Sequence, residues 1–112
     1  MGQKEIIKTK NILFKLFRNR NISVDKIVIY GSYARGVVKA ESDIDVMVIS
    51  RDFRGKDFFQ KVAMVRGIHS DIVKQINKPV DLLYYSDKEW EKGTSIIVNA
   101  AKYEGIVFTS KQ

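Results

Sequence analysis

The sequence predicts a single α/β (α+β) unit spanning residues 1–112. Segments whose apolar residues recur every three or four positions alternate with short, nearly continuous aliphatic runs. The hydrophobic fraction is 45%, with one Pro and seven Gly, which is the composition of a compact globule and not of a disordered tail. No repeat, low-complexity tract or linker divides the chain. Its 112 residues suffice for one core but leave no room for a catalytic domain plus a separate substrate domain. A large substrate is therefore expected to meet the domain's own surface or to arrive as a partner.

Ile6, Lys10, Leu13, Phe14 and Phe17 follow helical spacing, and the polar run Arg18 to Asn21 ends that first helix. Ile27 to Tyr30 reads as a short buried strand running into Gly31-Ser32, with a short helix from Ser32 to Gly36. VKAES is expected to be a loop. Ile44 to Ser50 follows as a strand whose continuous aliphatics predict burial on both faces. Arg51 to Lys56 is a charged turn holding Gly55. From Asp57 to Asn77 the positions Phe58, Val62, Val65, His69, Ile72 and Ile76 predict one long helix, weakened but not broken by Gly67 and stopped by Asn77-Lys78-Pro79. Val80 to Tyr85 is the third strand. Ser86 and Glu89 have capping-box spacing at the start of another helical stretch, which Gly93 divides. The part from Thr94 to Glu104 stops at Gly105, and Ile106 to Thr109 forms a short terminal strand.

Zero cysteines remove disulfides, thiol nucleophiles and thiolate metal sites, in keeping with a cytoplasmic protein. No apolar run approaches the ~20 residues that span a bilayer, and MGQKEIIKTK lacks the apolar core of a signal peptide. Ile6 stands where a myristoylation signal needs Ser or Thr. Twenty Lys plus Arg against thirteen Asp plus Glu give a net charge of +7, which favours a nucleotide, a nucleic acid or an acidic protein as partner. The cations are scattered, so charge alone does not choose among these.

The chemistry concentrates in YGSYARGVVKAESDIDVMVIS, Tyr30 to Ser50. Alternation along a strand puts Asp43 and Asp45 on one face. Two carboxylates that close repel, and one would take up a proton unless a cation lies between them. Magnesium fits, because it prefers carboxylate oxygens and completes its octahedron with water and phosphate oxygens. Asp81, near the start of the third strand, is the candidate third ligand, giving a metal site of Asp43, Asp45 and Asp81. Gly31 after a strand lets backbone approach a phosphate, and Ser32 adds a hydroxyl to the N–H groups of a helix start. Arg35 either neutralises phosphate charge or pairs with Glu41 or Asp43, and Tyr33 is the aromatic placed for nucleotide contact. Metal ions there would polarise an α-phosphate, orient a hydroxyl and stabilise departing pyrophosphate, which is nucleotidyl transfer. Each piece alone has a structural reading: a common turn, a solvated strand edge, a strand-start cap. Their order and context are what one mechanism requires.

The pattern Gly31-Ser32-Tyr-Ala-Arg35-Gly36, then Asp43-Ile-Asp45, then Asp81 in a later strand, resembles the DNA polymerase β-like nucleotidyltransferase superfamily. The compact length resembles its minimal nucleotidyltransferase (MNT) group, and the likeness runs from Ile27 to Tyr103-Glu104-Gly105. The resemblance implies a small mixed β-sheet flanked by helices. It assigns Gly31 and Ser32 to the phosphate turn, Asp43 and Asp45 to a two-ion magnesium site, and Asp81 to the third catalytic acid, the base for the incoming hydroxyl. Members of the MNT group resemble antitoxins that attach AMP from ATP to a tyrosine of a HEPN ribonuclease toxin. That implies ATP as donor and a HEPN chain as both substrate and partner, with nucleic acid not the direct substrate. No Arg-x4-6-His toxin motif occurs here, since Arg66 and His69 stand too close. His69 is expected at the core or its rim, Ser70 and Asp71 on a helix surface, and Phe58, Phe59, Tyr84, Tyr85 and Trp90 in the core. Two alternatives stand beside this reading: a binding module that neutralises its partner stoichiometrically, and an adenylyltransferase of a small hydroxylated molecule, which the missing C-terminal substrate domain disfavours.

Overall fold

In the computed structural model, which describes residues 2–36 and 43–110, the amphipathic opening segment forms α1 (Gly2–Asn19). Ile6, Leu13 and Phe17 are buried on one side of it, and the half-buried Lys10 lays its ammonium over the Phe108 ring at 5.1 Å. Asn21, in the left-handed conformation, turns the chain into β1 (Val24–Tyr30). The helix α2 (Ser32–Arg35) follows, then β2 (Ile44–Ser50) and a 3-10 turn, Arg51–Phe53. The expected loop VKAES lies outside the described residues.

The expected single helix from Asp57 to Asn77 is two helices, α3 (Phe58–Met64) and α4 (Ile68–Ile76). Asp57 starts the first through a capping box with Gln60. The break is at Gly67, whose φ of 89° places it in the left-handed region. A helix cannot pass through that conformation, and apolar spacing continues across it because Met64 and Val65 at the end of α3 and Ile68 and Ile72 of α4 join the same core. Asn77, with φ 58°, ends α4 ahead of Pro79. β3 (Val80–Tyr85), α5 (Asp87–Lys92), α6 (Ile96–Glu104) and β4 (Ile106–Thr109) complete the order. Ser86 and Glu89 form the expected capping box, and Gly93 separates α5 from α6 at φ 75°.

The strands form one mixed sheet in the order β3-β2-β1-β4, with β1 antiparallel to both β2 and β4 and β2 parallel to β3. β2 is central and, as its aliphatic run predicts, buried on both faces from Val46 onward. Ile44, Val46 and Val48 face the core with α1, α4, Phe53 and the edge-on ring of Tyr84, while Met47 and Ile49 meet Trp90, Val98 and Ala101 of α5 and α6. Burying each of these side chains contributes about 1.5–3 kcal/mol, so the centre of the sheet is its most firmly held part. Two expectations for aromatics do not hold, because Phe58 and Phe59 are 68% and 79% exposed and stack edge-on against each other at the outer surface of α3. No helix among the described residues is long and apolar enough to cross a membrane.

A Cβ on Gly67 would meet only Arg20 Nη1 at 3.9 Å, so the cost of adding one is the left-handed backbone itself. Gly67→Ala is expected to destabilise the chain by about 1–3 kcal/mol, measured as a lower urea midpoint at unchanged slope. Equal stability would mean that the two helices can merge into one.

Candidate active site

β1 delivers Tyr30 and then reverses at Gly31, with φ 72° and ψ −144°, a conformation that suits glycine and strains any side chain. Space imposes the same choice, since a Cβ built there would lie 2.3 Å from Asp45 Oδ2. The turn expected to cradle phosphate therefore rests directly against a carboxylate expected to bind metal. The amide of Arg35 donates to the Gly31 carbonyl at 3.1 Å, and Gly36, left-handed at φ 74°, closes α2.

The acids are gathered by register. Asp45 and Asp81 are the second residues of β2 and β3 and stand directly opposite each other in the parallel pairing. On the other side of β2, Tyr30 is the antiparallel neighbour of Asp45. Alternation puts Asp45, Asp81 and Tyr30 on the face that Met47, Leu83 and Tyr85 share with α5 and α6, and Asp43 immediately precedes β2. Asp43 and Asp81 are exposed, and Asp45 is half-buried.

Electrostatics record the crowding. Burial pushes the Asp45 carboxyl above its ordinary range, the charges of Asp81 and Asp43 push it further, and Arg35 opposes them. The Tyr30 hydroxyl is raised by burial first and then by Asp45 and Asp81, so it stays neutral. Surplus negative potential at half-buried oxygens suits a hard divalent cation. With the side chains as placed, no group of three acidic, histidine or cysteine residues among the described residues is gathered closely enough to hold a metal ion.

Arg35 does not pair with Asp43. Its guanidinium meets Glu104 of α6 at 3.2 and 3.4 Å, while Glu41, the other expected partner, lies outside the described residues. Tyr33 is turned inward and only 3% exposed. Its hydroxyl meets Glu5 at 3.4 Å, and Lys78 lies 5.8 Å from its ring centre. The expected nucleotide contact gives way to packing, because a ring held in the core is not presented to a base. Three residues near the site were not singled out by the sequence: Tyr30, Lys78 and Glu104. For Tyr30 a signal existed, since it ends a buried strand one position before the phosphate turn.

A family model described as a nucleotidyltransferase domain matches residues 6–104. The chain belongs to the nucleotidyltransferase domain family. The matched span holds Gly31, Ser32, Arg35 and all three acids, so the enzyme class expected from the motif is the family's own. Among solved structures, a Sulfolobus solfataricus protein assigned as a nucleotidyltransferase superposes with a TM-score of 0.63 at 16% identity, over 99% of this chain and 89% of that one. A toxin–antitoxin structure with AMP-PNP gives 0.65 at 20% identity, over 92% and 75%. A variant of the MntA–HpeT toxin–antitoxin pair gives 0.62 at 19%, again over 92% and 75%. At these identities the likeness is one of fold, and that fold is the mixed sheet expected for a nucleotidyltransferase. No curated protein sequence matches the chain.

A carboxyl raised in the folded state holds its proton more tightly there than in the unfolded chain. Stability therefore falls as pH rises from the unfolded pKa of about 3.9 through the raised folded value, and above it the charge remains a cost. Asp45→Asn is expected to raise Tm at pH 7, with the gain shrinking toward pH 4. A Tm that falls, or a gain independent of pH, would contradict this account. Gly31→Ala is expected to cost at least 1–3 kcal/mol, roughly, from its backbone alone, and replacing Asp45 by Gly in the same chain should recover only the steric part.

Proposed function

We propose that this nucleotidyltransferase is an antitoxin that transfers AMP from ATP to a tyrosine of a HEPN ribonuclease toxin. The observation that carries the reading is the meeting of Asp45 with Asp81 in register on one side and with Gly31 on the other. It supports the reading by bringing the expected phosphate turn beside two of the three acids. The partner class is supported by the toxin–antitoxin neighbours, one of them solved with AMP-PNP.

Gly31 lets the turn close onto Asp45 and so sets the start of α2 beside the acids, where Ser32 would offer a hydroxyl to the triphosphate. Asp43, Asp45 and Asp81 would hold the magnesium. When bound, it supplies charge neutralisation of the triphosphate and polarisation of the α-phosphorus. A tyrosine hydroxyl, with an ordinary pKa of about 10, needs help to lose its proton at neutral pH. Asp81, exposed at the sheet edge, takes that proton as the phenolic oxygen attacks the α-phosphorus. The bond from that phosphorus to the bridging oxygen breaks and pyrophosphate leaves, so AMP stays on the tyrosine. Arg35, held half-exposed by Glu104, can swing to phosphate charge at the cost of a solvent-facing ion pair, which contributes little.

The test is to co-produce the chain with the protein encoded by the neighbouring gene and weigh that partner intact. An AMP-sized mass increase is expected, lost with Asp43→Ala/Asp45→Ala and lost on chelation of magnesium before ATP is added. Neutralisation of the partner with no mass change would overturn transfer and leave a stoichiometric binding module.

A further inference from the structure

β3 is an edge strand, and its outer side is only partly closed. The Ile44 amide donates to the Pro79 carbonyl at 3.0 Å, so that carbonyl faces β2. Alternation then turns the backbone groups of Val80, Leu82 and Tyr84 outward. Two of the three outward carbonyls are covered by side chains. His69 Nε2 donates to the Val80 carbonyl at 2.7 Å, and Lys61 Nζ donates to the Tyr84 carbonyl at 3.1 Å. Among the described residues, nothing bonds to the N–H and C=O of Leu82 between them. Natural sheets blunt their edges against indiscriminate pairing, and this one is blunted at both ends of a short opening.

The opening is the floor of a groove of about 360 Å³ lined by Phe58, Val62, Arg66, His69, Asp81 and Leu82. Phe58 and Val62 are exposed apolar residues at 68% and 42%, and Arg20 donates from its guanidinium to the Arg66 carbonyl, adding a second cation to the rim. The groove therefore joins three things: an unpaired stretch of backbone, an apolar wall with a basic rim, and the acid assigned as base.

We propose that the acceptor protein docks here as an extended segment that pairs with Leu82, lays apolar side chains on Phe58 and Val62, and sets acidic residues against Arg66 and Arg20. This rests on the proposed transfer to a protein and names where that protein binds. A strand added at the edge lies about 4.8 Å from β3, and its residue opposite Asp81 projects from the same sheet face as Asp81. A tyrosine at that position enters the site from the side, with its hydroxyl on the face that holds Asp45 and Asp81. Main-chain pairing supplies affinity whatever the segment's sequence, while the apolar wall and basic rim select it. The short reach between His69 and Lys61 limits pairing to a few residues, which suits a substrate that must leave after modification.

Hydrogen–deuterium exchange on the complex with the co-produced partner tests this, together with Phe58→Glu/Val62→Glu. These substitutions lie outside the nucleotide site and are expected to keep ATP affinity and far-UV spectrum unchanged. The expected result is slower exchange across residues 80–85 on complex formation, also with Asp43→Ala/Asp45→Ala, and at least a tenfold weaker complex for Phe58→Glu/Val62→Glu. A complex that forms without slowing exchange there, and that tolerates both glutamates, overturns the docking site while leaving AMP transfer standing. If no complex and no adduct form, the proposed function fails. The groove is then challenged with a library of tyrosine-centred acidic decapeptides, and no protection at residues 80–85 by any of them overturns the docking site as well.

Discussion

Everything at the active end of the molecule depends on β2 being central and buried while beginning with acids. From Val46 to Ile49 the strand is fully enclosed, so neither its position nor its register can shift without exposing aliphatic surface on both sheet faces. Asp45 is carried one residue before that run and inherits its rigidity. The strand cannot relieve the repulsion between Asp45 and Asp81 by sliding, because a slip of one residue would turn Asp45 to the opposite face and Val46 toward the acids. The charge conflict is therefore built into the fold, and it has to be met by protons, by Arg35 or by a cation.

The neighbours of the acids show how the fold tolerates the conflict without ligand. Tyr30 lies beside Asp45 as a neutral group, held so first by burial and then by the charges of Asp45 and Asp81. Arg35 partly offsets the negative potential at Asp45, yet it is tied to Glu104 and not to any of the three acids. Among the described residues, that arrangement leaves the three carboxylates without an ion-pair partner. A guanidinium bonded directly to Asp43 or Asp45 would compete with a metal ion for the same oxygens, whereas one anchored on α6 contributes its field and leaves the oxygens open. Glu104 is thus a positioning residue for Arg35, and the end of α6 belongs to the site's surroundings although it lies about sixty residues from Asp43 and Asp45 in sequence, a separation typical of tertiary assembly.

How much of this could be read from the sequence divides along a physical line. Features set by local periodicity are legible: the second, third and fourth strands, the capping box at Ser86 and the break at Gly93, whereas the first strand begins three residues earlier than expected, at Val24, where Asp25 and Lys26 interrupt the aliphatic run. Gly31 was legible as a turn, but its contact with Asp45 was not, because the steric demand comes from a residue on the neighbouring strand. Gly67 was read as a weakness within one helix because apolar spacing continues past it. Only its left-handed backbone shows that the two halves are separate helices joining a common core. Phe58 and Phe59 were assigned to the core on residue type, which gives no information on whether a helix turns its first residues toward the sheet or away from it. Arg35 was given two nearby partners, and its observed partner is a long-range one that no local pattern announces.

The edge strand completes the logic of the site. Asp45 is carried on the enclosed strand, whereas its register partner Asp81 lies on the outermost strand, where it is exposed. Exposure carries a hazard, since an edge strand offers its backbone to any extended chain. Lys61 answers part of that hazard: its ammonium is nearly enclosed, held between the Tyr84 carbonyl and Glu89, and set over the Tyr85 ring at 5.4 Å. His69 answers another part at Val80. A buried lysine costs stability unless it is fully partnered, and here the partners are an edge carbonyl and a helix-capping carboxylate, so the same contacts that close the edge also dock α3 and α5 onto it. What is left open is the stretch at Leu82, one position from Asp81. With the carbonyls on either side of it covered, the part of the edge left to pair is the part beside Asp81.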